Sequence, residues 1–92
     1  MAWTVRFSNK AAKQYEKLPQ SVRDNIGALV TEISLVGPVR GNWPNYSKLV
    51  DGEHHCHVKK GKPTYVVVWR EEKGQIRVVE VIYAGTHEKA PY

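Results

Sequence analysis

Ninety-two residues, with fourteen Lys and Arg against nine Asp and Glu, carry a net charge of +5 and a sequence pI near 9.5. A chain of this length holds one domain, residues 1–92, whose modest core buries only about two-thirds of its unfolded surface, so a deep enclosed site is excluded in favour of an open face or shallow groove. One cysteine excludes an internal disulfide, no apolar run approaches the ~18 residues of a membrane span, and the N-terminus lacks the roughly 7–15-residue apolar stretch of a signal peptide, so a cytoplasmic location without membrane attachment is expected.

Trp3, Val5 and Phe7 alternate with Thr4 and Arg6 at the period of a half-buried strand. Ser8 or Asn9 then caps a short helix whose Ala11, Tyr15 and Leu18 share one face, and Pro19 interrupts it. Ser21 and Asp24 read as a variant capping box ahead of Val22, Ile26, Leu29, Ile33 and Val36, which keep helical spacing. Gly37-Pro38 stops this second helix. Residues 37–53 form a connection long for a compact domain, with Pro38, Gly41, Pro44 and Gly52 against regular structure and Trp43, Tyr46 and Leu49 available to pin it to the core.

Three strands are predicted over 54–59, 64–70 and 75–83, joined by glycine-containing connections of hairpin length at 60–63 and 71–74. The middle one is apolar on both faces and belongs inside the sheet. The expected fold is α+β in the order β-α-α-β-β-β, two helices packed on one face of a largely antiparallel sheet and the other face left for function.

Alternation along 54–59 places His55, His57 and Lys59 on the open face and His54, Cys56 and Val58 toward the helices. Lys60 and Lys62 follow in the hairpin. After Tyr83, Ala84-Gly85 allows a sharp turn before Thr86 and His87. In an antiparallel meander the end of the last strand lies near the 59–63 hairpin, so His87 is expected to meet His57 across one groove. Histidine, with an unperturbed pKa of about 6.5, accepts and donates protons near neutrality. Two histidines among lysines on a basic chain suit RNA cleavage. Zinc is the chemical alternative, since His54, His55, Cys56, His57 and His87 include ligand types, but alternation separates Cys56 from His55 and His57.

Gly41-Asn42-Trp43, Lys48-Leu49, the strand His55-Cys56-His57-Val58, the strand from Tyr65 to Trp69 and the ending Gly85-Thr86-His87 resemble the RelE/ParE toxin superfamily, and within it most nearly the YafQ branch of ribosome-dependent mRNA endonucleases. The resemblance implies the toxin of a type II toxin–antitoxin pair. Such a toxin enters the ribosomal A site, cuts mRNA without a cofactor or metal, and is held by a cognate acidic antitoxin.

By the same resemblance His87 matches the branch's C-terminal histidine and His57 its mid-strand histidine, while Tyr92 falls one residue from the terminal aromatic. These three are the expected catalytic residues. His55, Lys59, Lys60, Lys62, Lys89 and Tyr83 are the expected RNA and phosphate contacts. The branch's acidic position reads Gly61 here, and the arginine of RelE-like members reads Pro63-Thr64, with lysines as natural substitutes. Two alternatives share the scaffold: a ParE-like toxin that binds DNA gyrase, and a catalytically inactive interaction module.

Overall fold

The computed structural model describes residues 2–92. The elements are β1 (Thr4–Phe7), α1 (Asn9–Glu16), α2 (Gln20–Val36), β2 (Ser47–Lys48), β3 (Glu53–Lys59), β4 (Tyr65–Glu71), β5 (Val78–Thr86) and a 3-10 turn at His87–Lys89. They build one sheet in the order β1-β5-β4-β3-β2. β1 pairs parallel with β5, and the remaining neighbours are antiparallel. The expected β-α-α-β-β-β order is therefore present, with the two-residue β2 added inside the long connection.

Local chemistry sets the helix ends. Ser8 caps α1, its Oγ accepting from the Ala11 N–H at 3.1 Å. The capping box expected at Ser21 does not form: the cap position is Pro19, two residues earlier, and α2 has no side-chain cap. Asp24 instead accepts from Gln20 Nε2 at 2.7 Å, and the Ser21 hydroxyl accepts from Lys59 at 2.8 Å. Gly37 closes α2 with φ 102°, donating to the Ile33 carbonyl. A Cβ on Gly37 would also lie 3.1 Å from Trp3 Nε1, so both conformation and space select glycine there.

The helical stripe Val22, Ile26, Leu29 and Ile33 is fully buried against Cys56, Val67, Trp69, Val79 and Val81 of the sheet. Val36, expected to continue that stripe, is exposed. Trp43 and Tyr46 pack against this core and Leu49 against the opposite face, pinning the connection as expected. Glu32 of α2 holds it further, accepting from Arg40, Asn42 and Trp43. The hydrogen bonds from Asn42 and Trp43 keep its carboxyl below the usual range.

The largest boundary shifts are at the two ends of β5. β5 starts at Val78 rather than residue 75, because residues 75–77 form the turn, with Arg77 at φ 55°. It also runs on to Thr86, so no turn occurs at Ala84-Gly85. Gly85 is needed for space instead: a Cβ there would sit 2.7 Å from Tyr83 Oη, whose hydroxyl donates to the Thr86 carbonyl at 2.7 Å.

Among the described residues, no helix is long and apolar enough to cross a membrane.

Candidate active site

The face of the sheet away from the helices is not bare. Val66, Val68 and Tyr83 form a second buried cluster, flanked by Leu49, Ile82 and Ala90. The segment after β5 folds back over it: His87 N–H bonds the Thr64 carbonyl at 2.8 Å and Ala90 N–H bonds the His87 carbonyl at 3.2 Å. This return positions the site, because it sets the His87 and Tyr92 rings against His57 and His55 of β3.

Four rings meet there. His57 and His87 lie with centroids 5.4 Å apart and planes at 71°. His55 sits 6.2 Å from His57 and 4.3 Å from Tyr92, and Tyr92 is 6.2 Å from His87. The expected groove contact between His57 and His87 is thus present. The hairpin joins it: Gly61, Lys62, Pro63, Thr64, His87 and Glu88 line a cavity of about 440 Å³. Thr64 Oγ1 shapes that hairpin by donating to the Gly61 carbonyl at 3.0 Å and accepting its N–H at 3.3 Å.

Electrostatics divide the two histidines. Burial, then the neighbouring His87, His55 and Lys60, push the His57 pKa below the ordinary imidazole value. His57 therefore gives up its proton more readily than a free imidazole. His87 is exposed on the groove wall. Neither ring has a hydrogen-bond partner among the described residues, so both keep lone pairs and protons available to a ligand. Burial raises the Tyr92 hydroxyl above the usual tyrosine value, keeping it neutral.

Several expected contacts are placed differently. His55 is on the predicted face but only 8% exposed, because Tyr92 covers it; its Nδ1 lies 3.0 Å from Ser47 Oγ. Lys59 does not share the face of His55 and His57. Val58 keeps its expected place in the core, but the β3–β4 register shifts between His57 and Lys59, and past that irregularity the Lys59 ammonium reaches Ser21 on α2. Tyr83 is 7% exposed, with its hydroxyl bound to Thr86, and offers no free face to a base. Lys89 lines a separate groove with Lys10 and Lys17. Lys62 lines the histidine groove and Lys60 acts electrostatically on His57.

Two helix-side residues belong to the fold. His54 is buried, its Nδ1 2.7 Å from Tyr46 Oη and its Nε2 2.8 Å from Glu71. Cys56 is fully buried, and burial pushes its thiol up to about 12. Among the described residues no three His, Cys, Asp or Glu side chains are grouped to hold a metal ion.

The sequence reading missed three contributors: Ser47, which orients His55; Pro44, whose carbonyl accepts the His57 N–H at 2.8 Å; and Glu88, which brings a carboxylate to the groove. Only Glu88 carried a signal, standing beside His87. The arginines of this sheet face are engaged, Arg6 and Arg70 both pairing with Glu72 and Glu80 at 3.3–3.6 Å.

No family model and no curated protein matches the chain. Solved structures do. The archaeal RelE–RelB complex from Pyrococcus horikoshii OT3 superposes with TM-score 0.71 at 11% identity, over 98% of this chain and 100% of that one. A mutant of E. coli toxin RelE in the free state gives TM-score 0.71 at 22% identity, over 96% and 86%. The toxin–antitoxin complex RelBE2 from Mycobacterium tuberculosis gives TM-score 0.64 at 19% identity, over 95% and 100%. The chain has the RelE fold, two helices on one face of a five-stranded, mostly antiparallel sheet.

Proposed function

We propose that this protein is a toxin of a toxin–antitoxin pair that cleaves messenger RNA on the ribosome by metal-independent transfer to the ribose 2′-hydroxyl. The observation that carries the reading is the meeting of His57, His87 and Tyr92, from β3 and the returning C-terminal segment, beside a lysine-bearing hairpin groove. The RelE fold supports it, since two of the structural neighbours are toxins bound to their antitoxins.

The reaction requires a base for the 2′-hydroxyl proton and an acid for the leaving 5′-oxygen. His57, whose pKa is held down by burial and by His87, His55 and Lys60 beside it, is the base. The proton moves to its imidazole as the 2′-oxygen bonds to phosphorus. His87, exposed on the groove wall, protonates the 5′-oxygen as its bond to phosphorus breaks. A 2′,3′-cyclic phosphate and a 5′-hydroxyl result.

Charge on the phosphorane grows in the transition state, so cations placed there stabilise it more than the ground state. Lys62 and Lys60 fill this role where the family's arginine is replaced by Pro63-Thr64. Tyr92, about half exposed beside both His55 and His87, stacks on a base, a contact typically worth about 1–3 kcal/mol. Lys59 and Tyr83, held elsewhere, take no part in this mechanism.

Pulse labelling after induction tests the reading against the gyrase alternative. Prompt loss of amino-acid incorporation with continuing thymidine incorporation supports mRNA cleavage. The opposite order would support a gyrase poison, and co-expression of an acidic partner encoded beside this chain should restore growth.

A further inference from the structure

His57 and His87 are each anchored by the backbone and free at the ring. The His57 N–H bonds the Pro44 carbonyl and the His87 N–H bonds the Thr64 carbonyl, both at 2.8 Å. Neither imidazole has a hydrogen-bond partner among the described residues, so each can offer a nitrogen lone pair to an incoming ion. Because the Cβ–Cγ axis passes through the ring, turning χ2 re-aims those nitrogens while leaving the centroid nearly in place. The centroid separation is therefore the informative quantity. Zinc lies about 2.0–2.1 Å from an imidazole nitrogen and hence roughly 3.2 Å from the ring centroid, so two imidazoles on one tetrahedral zinc have centroids about 5.2 Å apart. His57 and His87 stand at 5.4 Å with planes at 71°. The other histidine pair on this face does not fit. His55 and His57 are 6.2 Å apart, which would open the angle at the metal to about 150°, and His55 Nδ1 is already 3.0 Å from Ser47 Oγ.

We infer that the His57–His87 pair is a chelating site for an imidazole-preferring transition metal ion, zinc above all, and that the bound ion reversibly closes the groove. Among the described residues no third His, Cys, Asp or Glu completes a ligand set. Water therefore fills the remaining positions, and the ion exchanges with solution, unlike a structural zinc whose four ligands the protein supplies. Charge sets the same limit. Lys60 acts electrostatically on His57 and Lys62 lines the groove, where Glu88 is the one carboxylate to offset them. Magnesium and calcium, which take oxygen ligands, are disfavoured by a pair of imidazoles. Zinc on both rings occupies the lone pairs that the proposed proton transfers use, so the inhibition rests on the function proposed above. The binding itself rests only on the ring geometry.

The test is a titration of the ¹⁵N-labelled full chain with zinc sulfate, with NMR following the ring nitrogens and calorimetry giving stoichiometry and affinity. The His57 and His87 ring signals should move together and saturate at one zinc per chain, while magnesium sulfate moves neither. His57→Ala and His87→Ala, whose spectra report whether the fold is kept, should each weaken zinc binding by about 10–100-fold or more, since groups that only orient a ligand are already worth that much. His55→Asn should bind zinc as the wild type does. The inference is overturned by no saturable zinc binding to the wild type, by wild-type affinity in either folded alanine variant, by an equal loss in His55→Asn, or by equal binding of magnesium. In the cleavage assay zinc should stop the cutting of message and a chelator should restore it; cutting that continues at saturating zinc would overturn the inhibition. A chain that binds zinc at both rings but cleaves no message with chelator present would overturn only the proposed function.

Discussion

His57 and His87 face each other from β3 and the 3-10 turn with ring centroids 5.4 Å apart, and the surrounding structure ties neither ring down. In the proposed reaction, two imidazoles so placed serve one step. His57→Ala and His87→Ala should each keep the wild-type circular dichroism and ribosome binding, yet slow single-turnover cleavage by about 10²–10⁴-fold, the range typical of general acid–base groups. The double variant should be little worse than the poorer single one, as expected when residues serve one step. Full activity in either single variant removes that histidine from the chemistry.

The depressed His57 value carries a sign that can be measured. A histidine whose folded-state pKa lies below its unfolded value binds fewer protons folded than unfolded, so its stabilising contribution is complete above about pH 6.5 and is lost as pH falls through the folded pKa. The His57 ring proton, followed by NMR, should titrate below about 6.5. His87→Ala, which removes both cover and a like charge, should move that midpoint up, and Lys60→Ala should move it up by less. A midpoint at or above the free value would place His57 in water and remove the reason for making it the base.

The helix-side pattern of the fold was legible because burial there obeys simple periods. Val22, Ile26, Leu29 and Ile33 read as a helical stripe, and Cys56 and Val58 as inward strand positions. Local irregularities were not legible. The bulge that sends Lys59 to Ser21 depends on how β3 meets β4, and no residue type announces it. The return of residues 87–92 over the sheet depends on Val66, Val68 and Tyr83 offering an apolar seat, which becomes visible only once β4 and β5 are paired. His57 and His87 were found because strand order alone brings their segments together, whereas the cover over His55 needed tertiary structure.

Gly85 offers a stability test of the same return. Gly85→Ala would drive a methyl to 2.7 Å from Tyr83 Oη and 3.0 Å from its ring, an overpacking typically costing about 1–3 kcal/mol. The urea midpoint should fall accordingly. In a Tyr83→Leu background the same change should cost clearly less, the two substitutions being coupled through one contact. Equal costs in both backgrounds would mean that the glycine is not making room for Tyr83.

His54 separates fold from chemistry. It stacks on Trp69 with ring planes 6° apart and bridges Tyr46 to Glu71, so His54→Ala opens a core cavity and strips partners from both. Loss of about 1–3 kcal/mol is expected in urea unfolding. Below the unfolding range, single-turnover cleavage should stay near wild type. Cleavage lost as deeply as in His87→Ala, with the protein still folded, would reverse the assignment of strand faces.

Primer extension on ribosome-bound message, with the 5′ fragment's terminus identified by mass, tests the central claim most directly. The wild-type chain in chelator-treated buffer should cut the message in the A site and leave a 2′,3′-cyclic phosphate, and His87→Ala should leave the message intact while still binding the ribosome. An uncut message with folded, ribosome-bound wild-type protein, or a cut that leaves a 5′-phosphate, would contradict a two-histidine transesterification at this site.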